Sequence, residues 1–238
     1  DDYDLIFKSP GVVLPKDPEQ YSCRFTSQME VFFEAYRDRI IGITGTKGKS
    51  TTTTLLYHIL KKSGQDTVLA GNIGIPAFDI LEEIHPDTRL VCELSCHQLE
   101  YTHVSPHIGV LLNIHEEHLD HYGTMEKYIH SKQQIYLHQK PQDLLFCGTD
   151  VIPAAGTCRS RIYSVSDQNF EADVLLSGSR IHFEDHDYQI PTDKIPLLGH
   201  HNHLDIAFVY AICRTLGISD RQIEQGLISY EPLPHRLR

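Results

Sequence analysis

Residues 39–64 read RIIGITGTKGKSTTTTLLYHILKKSG, and the order of features in this stretch decides the fold. RIIGIT (39–44) is a continuous, largely β-branched run that suits a strand buried on both faces of a parallel sheet. GTKGKSTTTT (45–54) is a glycine loop, and LLYHILKKSG (55–64) sets Leu55, Leu56, Ile59 and Leu60 on one helical face. Strand, glycine loop and helix in this order make a phosphate cradle, because the free backbone N–H groups of a helix N-terminus face an anion. Gly45 and Gly48 let the loop turn its amides inward, Lys49 reaches terminal phosphates, and the Ser50 or Thr51 hydroxyl offers a ligand to Mg²⁺. The first glycine of the usual GxxxxGK[ST] spacing would fall at Ile43, so a shortened loop is expected.

Outward from this core, similar apolar runs recur at TVLAG (67–71), TRLVCELS (88–95), IGVLLNI (108–114), DLLFCG (143–148) and RIYSVS (161–166). Helices are expected at 27–38, 50–63, 76–84 and 124–139, so strands and helices alternate. That alternation predicts an α/β fold, a P-loop-containing, mostly parallel sheet flanked by helices. Residues 173–191 carry strand-like segments and turn residues without a helix, which predicts a small antiparallel β subdomain at about 160–195. Helices at 200–216 and 219–228 follow. Near the start, DLIFK (4–8) reads as a short strand and 10–22 as a connector, with a domain boundary near 25.

The 238 residues are 40% hydrophobic and 22% charged, which excludes a disordered chain and a disulfide-stapled miniprotein. A formal charge of −11 argues against nucleic acid or anionic membrane as partner. No apolar run nears the ~18 residues of a membrane span, and the DDYDLIF start is acidic, so neither insertion nor export is expected. Six scattered cysteines without a CxxC pair read as reduced thiols in a cytoplasm. Asp1 is not an initiator methionine, and a piece of something longer is expected.

Beyond the loop, one residue stands out. After Thr124, residues Met125, Tyr128, Ile129, Ile135 and Tyr136 form an apolar helical stripe, and Lys132 falls within it. Snorkelling would account for an ammonium there, as would a desolvated, reactive amine open to Schiff-base formation or carbamylation by CO₂. Glu93, near the C-terminal end of the 88–95 strand, is a Mg²⁺ candidate, since open α/β sheets hold ligands at that edge. NIHEEHLDHYG (113–123) follows another strand end and offers Glu116, Glu117, His118, Asp120 and His121 as possible ligands.

GITGTKGKSTTT (42–53), GNIG (71–74), ELSCHQLE (93–100), NIHEEHLDHYG (113–123), SKQQIY (131–136), GHHNHLD (199–205) and LPHRLR (233–238) together resemble the Mur ligase superfamily. The ELSCHQLE segment is most similar to its D-glutamate-adding branch. The resemblance implies that Gly45, Thr46, Lys47, Gly48, Lys49, Ser50 and Thr51 bind ATP, with Asn202 and His235 at the adenine and ribose and Arg236 near the phosphates. It implies Mg²⁺ held by Ser50, Glu93 and His118, a carbamylated Lys132 organising that metal, and Asn72 on the nucleotide-sugar substrate. Lys49, Lys132 and His118 are then the catalytic set. Lys47 stands where asparagine is usual, His97 where an aromatic is common, and Asp205 where a second asparagine is expected.

On this resemblance, residues 1–25 are the tail of an N-terminal domain with its linker, 26–238 are the central ATP-binding domain, and a C-terminal domain is absent. The implied activity is that of an ATP-dependent acid-amino-acid ligase of peptidoglycan precursor synthesis. It would add D-glutamate to UDP-N-acetylmuramoyl-L-alanine through an acyl phosphate, with ATP and Mg²⁺, as a cytoplasmic monomer; the fragment alone is expected to be inactive. Another P-loop NTPase or kinase would explain the loop but not Lys132 or the ELSCHQLE segment; a non-catalytic nucleotide-binding module stays open as the alternative for this polypeptide alone.

Overall fold

A computed structural model describes residues 3–16, 18–73, 75–197 and 199–232. Short strands β1 (Leu5–Phe7) and β2 (Arg24–Thr26) pair in parallel as a separate two-stranded sheet. The rest is built on nine strands: β3 (Ile40–Thr44), β4 (Thr67–Gly71), β5 (Arg89–Glu93), β6 (Ile108–Leu111), β7 (Leu144–Gly148), β8 (Arg161–Ser166), β9 (Val174–Ser177), β10 (Arg180–Phe183) and β11 (His186–Gln189). Their spatial order is β11-β10-β9-β8-β7-β6-β3-β5-β4.

β3 sits between β5 and β6, so the chain leaves it in one direction for β4 and β5 and returns on its other side as β6. This is the switch point at which open α/β sheets place their ligands, beyond the carboxyl ends of the strands. All five residues of β3 are buried. Ile41 and Ile43 join one core with α2 (Lys49–Lys62), α6 (His200–Thr215) and α7 (Asp220–Ser229). Ile40 joins the opposite core with Phe32 and Phe33 of α1 (Gln28–Tyr36) and with Ile135 and Tyr136. The alternation across β3 is what welds both helical layers to one sheet.

Three expectations change. The stretch 76–84 is not an α-helix: it forms turns and a 3₁₀ turn at Leu81–Glu83, although Ala77 and Ile80 are buried as the pattern required. Pro76 and Pro86 bracket a segment too short to repay helix nucleation. The 124–139 helix stops earlier, as α5 (Met125–Gln133), and continues in turns that still bury Ile135 and Tyr136. Among the described residues antiparallel pairing is confined to β9–β10–β11, because β8 pairs in parallel with both β7 and β9. The antiparallel region therefore extends the main sheet.

No described helix is long and apolar enough to cross a membrane. All six cysteines are free thiols.

Candidate active site

Four residues, Gly45–Gly48, join the end of β3 to the start of α2, the short loop anticipated from the missing glycine at 43. Gly48 caps α2 in the left-handed region at φ 84°, and a Cβ there would fall 2.5 Å from Asp205 Oδ1. Glycine is thus required for both conformation and space. Asn113, just beyond β6, staples the loop: its Oδ1 accepts from the amides of Thr46 (3.1 Å) and Lys47 (2.9 Å), and its Nδ2 donates to the Lys47 carbonyl (3.1 Å). The Thr46 hydroxyl accepts from the His115 amide at 2.9 Å and lies 3.0 Å from the Tyr128 hydroxyl. These bonds brace the loop against the strand ends beside it. Ser50 is buried in the first turn of α2, Thr51 is half-buried beside it, and Lys47 faces solvent.

Two lysines meet over this loop. Lys49 Nζ donates to the carbonyls of Gly45 (2.9 Å) and Thr46 (2.8 Å), and Lys132 Nζ donates to Gly45 O at 2.8 Å. Lys132 is 1% exposed, with its amine 5.0 Å from the centre of the Tyr128 ring, so it does not snorkel. Burial pulls its pKa down to about 8, Lys49 adding to the effect against Cys96 and Glu117. At pH 7 about a tenth of such amines are neutral, against about 0.03% for an ordinary lysine.

Glu93 ends β5 in register with Ile43 and Gly71. It is 1% exposed; Oε1 accepts from Asn72 Nδ2 at 2.8 Å, while Oε2 has no partner. A buried carboxylate oxygen without a donor is costly, and this one fits a divalent cation. His118 is exposed, in the left-handed region at φ 56°, and caps α4 (Leu119–Tyr122). Its ring centre lies 6.2 Å from that of Tyr128, which thereby touches Thr46, Lys132 and His118 at once.

The structure joins Gly45, Thr46, Lys49 and Lys132 by direct contacts, and Asn72 to Glu93. On α6, Asn202 and Asp205 are both buried and one turn apart, with the Asp205 carboxyl against Gly48. Burial raises the Asp205 pKa to about 7. His235 and Arg236 lie outside the described residues. Asn113 and the Tyr128 hydroxyl were not legible as site residues: Asn113 reads as one more polar residue after a strand, and Tyr128 as a member of an apolar stripe.

Residues 43–213 match the Mur ligase middle domain. The chain belongs to the Mur ligase family. It is 32% identical over 244 residues to UDP-N-acetylmuramoylalanine-D-glutamate ligase of Bacillus subtilis (strain 168), covering 98% of this chain and 54% of that protein. The enzyme of the same name from Geobacillus kaustophilus (strain HTA426) is 35% identical over 246 residues, covering 99% and 54%. Among solved structures, MurF from Acinetobacter baumannii superposes with a TM-score of 0.69 at 21% identity, covering 92% of this chain and 54% of that one. MurF ligase from Thermotoga maritima in complex with ADP gives 0.64 at 19%, covering 98% and 58%. These structural likenesses speak for the Mur ligase fold alone. The chain spans about half the length of the curated relatives it matches.

Proposed function

We propose that this chain is the ATP-binding, phosphoryl-transferring unit of a ligase that joins D-glutamate to UDP-N-acetylmuramoyl-L-alanine in peptidoglycan precursor synthesis. The observation that carries the reading is the convergence of Lys49 and Lys132 on one loop carbonyl beside a phosphate cradle. A simple nucleotide-binding loop needs only the first of these lysines. The D-glutamate branch rests on the named relatives and on the ELSCHQLE segment.

In this reading ATP lies with its phosphates on the amides at the start of α2, and its γ-phosphate is met by Lys49. Asn202 serves the adenine side, with His235 at the ribose and Arg236 near the phosphates. A carboxylate oxygen of the acceptor forms a bond to the γ-phosphorus as the bond to ADP breaks. The D-glutamate amine then attacks the acyl carbon, inorganic phosphate leaves, and the amine releases a proton. Phosphoryl transfer demands little covalent chemistry from the protein; positioning and charge neutralisation dominate.

Ser50, Glu93, His118 and a carbamylated Lys132 are the residues proposed to hold Mg²⁺, which when bound offsets charge on the phosphoryl oxygens. Carbamylation joins the neutral Lys132 amine to the carbon of CO₂ with loss of one proton. It replaces a buried cation by an anion that accepts hydrogen bonds. Asn72, tied to Glu93, is proposed to face the nucleotide sugar.

Residues 1–25 are proposed as the end of a preceding domain and 26–238 as the central unit; the separate two-stranded sheet, Leu5–Phe7 with Arg24–Thr26, lies almost wholly before that boundary. The 238 residues alone are proposed to turn over poorly, since aligning two substrates would draw on the part of the relatives' length not matched here. Competition between D-glutamate, L-alanine, a diamino acid and D-alanyl-D-alanine, with products weighed by mass spectrometry, tests the branch. Only the D-glutamate adduct is expected from the full-length protein, and preferential use of another acceptor would overturn it.

A further inference from the structure

His97, Glu100 and His121 lie beyond the phosphate loop and take no part in the reaction described above. His97 is on α3 (Cys96–Leu99), Glu100 caps that helix, and His121 is on α4. Each offers one ligand atom, and the three atoms lie within 4.8 Å of one another. The imidazole centres of His97 and His121 are 4.4 Å apart.

The distances within this group have a particular length. His121 Nε2 is 3.4 Å from Glu100 Oε1 and 3.3 Å from Glu100 Oε2, too long for a good charge-assisted hydrogen bond. Two ligands each ~2.0–2.1 Å from a tetrahedral ion are about 3.3–3.4 Å apart, which is the edge seen here. Lys8 Nζ holds Glu100 Oε2 at 2.9 Å and leaves Oε1 to a second cation. Glu100 and His121 are nearly buried, at 11% and 10% side-chain exposure. Both also line a cleft of about 970 Å³ shared with Tyr21 and Phe25, which gives an ion an entry path.

We propose that His97, Glu100 and His121 form a binding site for a late transition-metal ion of the Zn²⁺ class. Two imidazoles and one carboxylate suit such an ion and suit Mg²⁺ poorly, since magnesium prefers an all-oxygen octahedron. An ion here ties α4, whose N-cap is His118, to α3, which begins three residues after Glu93. It is a clamp between the two helices and independent of the ligase reading. Cys96, His97 and His118 make an overlapping set, but His118 is exposed, and Cys96 lies on the buried side of α3.

Co²⁺ serves as the probe, titrated into chelator-treated full-length protein in saturating Mg²⁺. One equivalent is expected to bind with the intense visible absorption of a four-coordinate ion and to be displaced by Zn²⁺. His97→Phe and His121→Gln should each weaken binding about 100-fold or more, and His118→Ala should retain it. Zn²⁺ should raise the melting temperature of the unaltered protein and of His118→Ala but of neither ligand variant. Circular dichroism without metal establishes that the variants fold; if His97→Phe does not, His121→Gln and Glu100→Gln carry the test. No saturable Co²⁺ binding, or undiminished binding in folded His121→Gln, overturns the proposal. Loss in His118→Ala with retention in His121→Gln would likewise overturn it in favour of the overlapping set.

Discussion

Lys49 and Lys132, 83 residues apart in sequence, donate to the same acceptor, the carbonyl oxygen of Gly45, at 2.9 and 2.8 Å. Two ammonium groups at ~5 Å repel by about 3 kcal/mol at an effective dielectric of ~20. One carbonyl dipole is modest compensation for that repulsion. A phosphate chain on the loop or a negative carbamate on Lys132 would each relieve it, so the arrangement favours binding of anions over the empty state.

Lys49→Ala is expected to weaken Mg-ATP binding at least tenfold in titration calorimetry while leaving the far-ultraviolet dichroism unchanged. Lys49 is half-exposed and contributes no core, so unaltered affinity would remove it from the phosphate site.

Lys132 should react with CO₂. In ¹³CO₂-equilibrated buffer, a carbamate resonance is expected that Lys132→Ala lacks, growing with pH up to about 8 as the amine loses its proton. Lys132→Ala should abolish most ligase turnover in the full-length protein, and short carboxylic acids should restore part of it. Near-normal turnover in the alanine variant would show that the carbamate is unnecessary.

The same burial makes Lys132 a cost to stability. Its folded pKa is depressed below the unfolded 10.5, so between pH 8 and 10.5 the unfolded chain binds more protons and stability rises with pH. In CO₂-depleted buffer Lys132→Met should therefore raise unfolding free energy at pH 7 by about 1–3 kcal/mol. That gain should fade above pH 8 and vanish near 10.5. Equal or lower stability at pH 7 would contradict the desolvation account.

Asp205 titrates near pH 7 against Gly48 of the loop. Below that pH the carboxyl is neutral; above it, a buried negative charge faces the loop on which ATP is proposed to bind. ATP affinity is expected to fall several-fold between pH 6 and 8, and Asp205→Asn should flatten the profile. Because its folded pKa is raised, Asp205 also lowers stability progressively from pH ~4 to ~7, a slope that Asp205→Asn should reduce.

The phosphate loop was legible because its residue types do one thing: glycine for a left-handed turn at Gly48, lysine for charge at Lys49. Lys132 was legible as a contradiction, a cation in an apolar stripe, and the buried Nζ resolves it. What sequence hid was long-range. The Asn113 staple depends on β6 lying beside β3, and nothing near residue 113 announces a partner 66 residues away. The continuation of the sheet into β9 rests on two residue pairs, Val165 with Val174 and Ser166 with Leu175, too short a register to leave a pattern. The lost helix at 76–84 has apolar spacing that burial alone could satisfy, so periodicity there did not report backbone conformation.

Inorganic phosphate release by the full-length protein, measured with ATP, UDP-N-acetylmuramoyl-L-alanine and D-glutamate and then with each omitted in turn, tests the central claim most directly. The account predicts sustained release only when all are present, one phosphate for each amide formed, and its loss in Lys49→Ala and Lys132→Ala. Release at an undiminished rate without D-glutamate and without the nucleotide sugar would contradict it, and would leave the loop as that of an ordinary nucleoside triphosphatase.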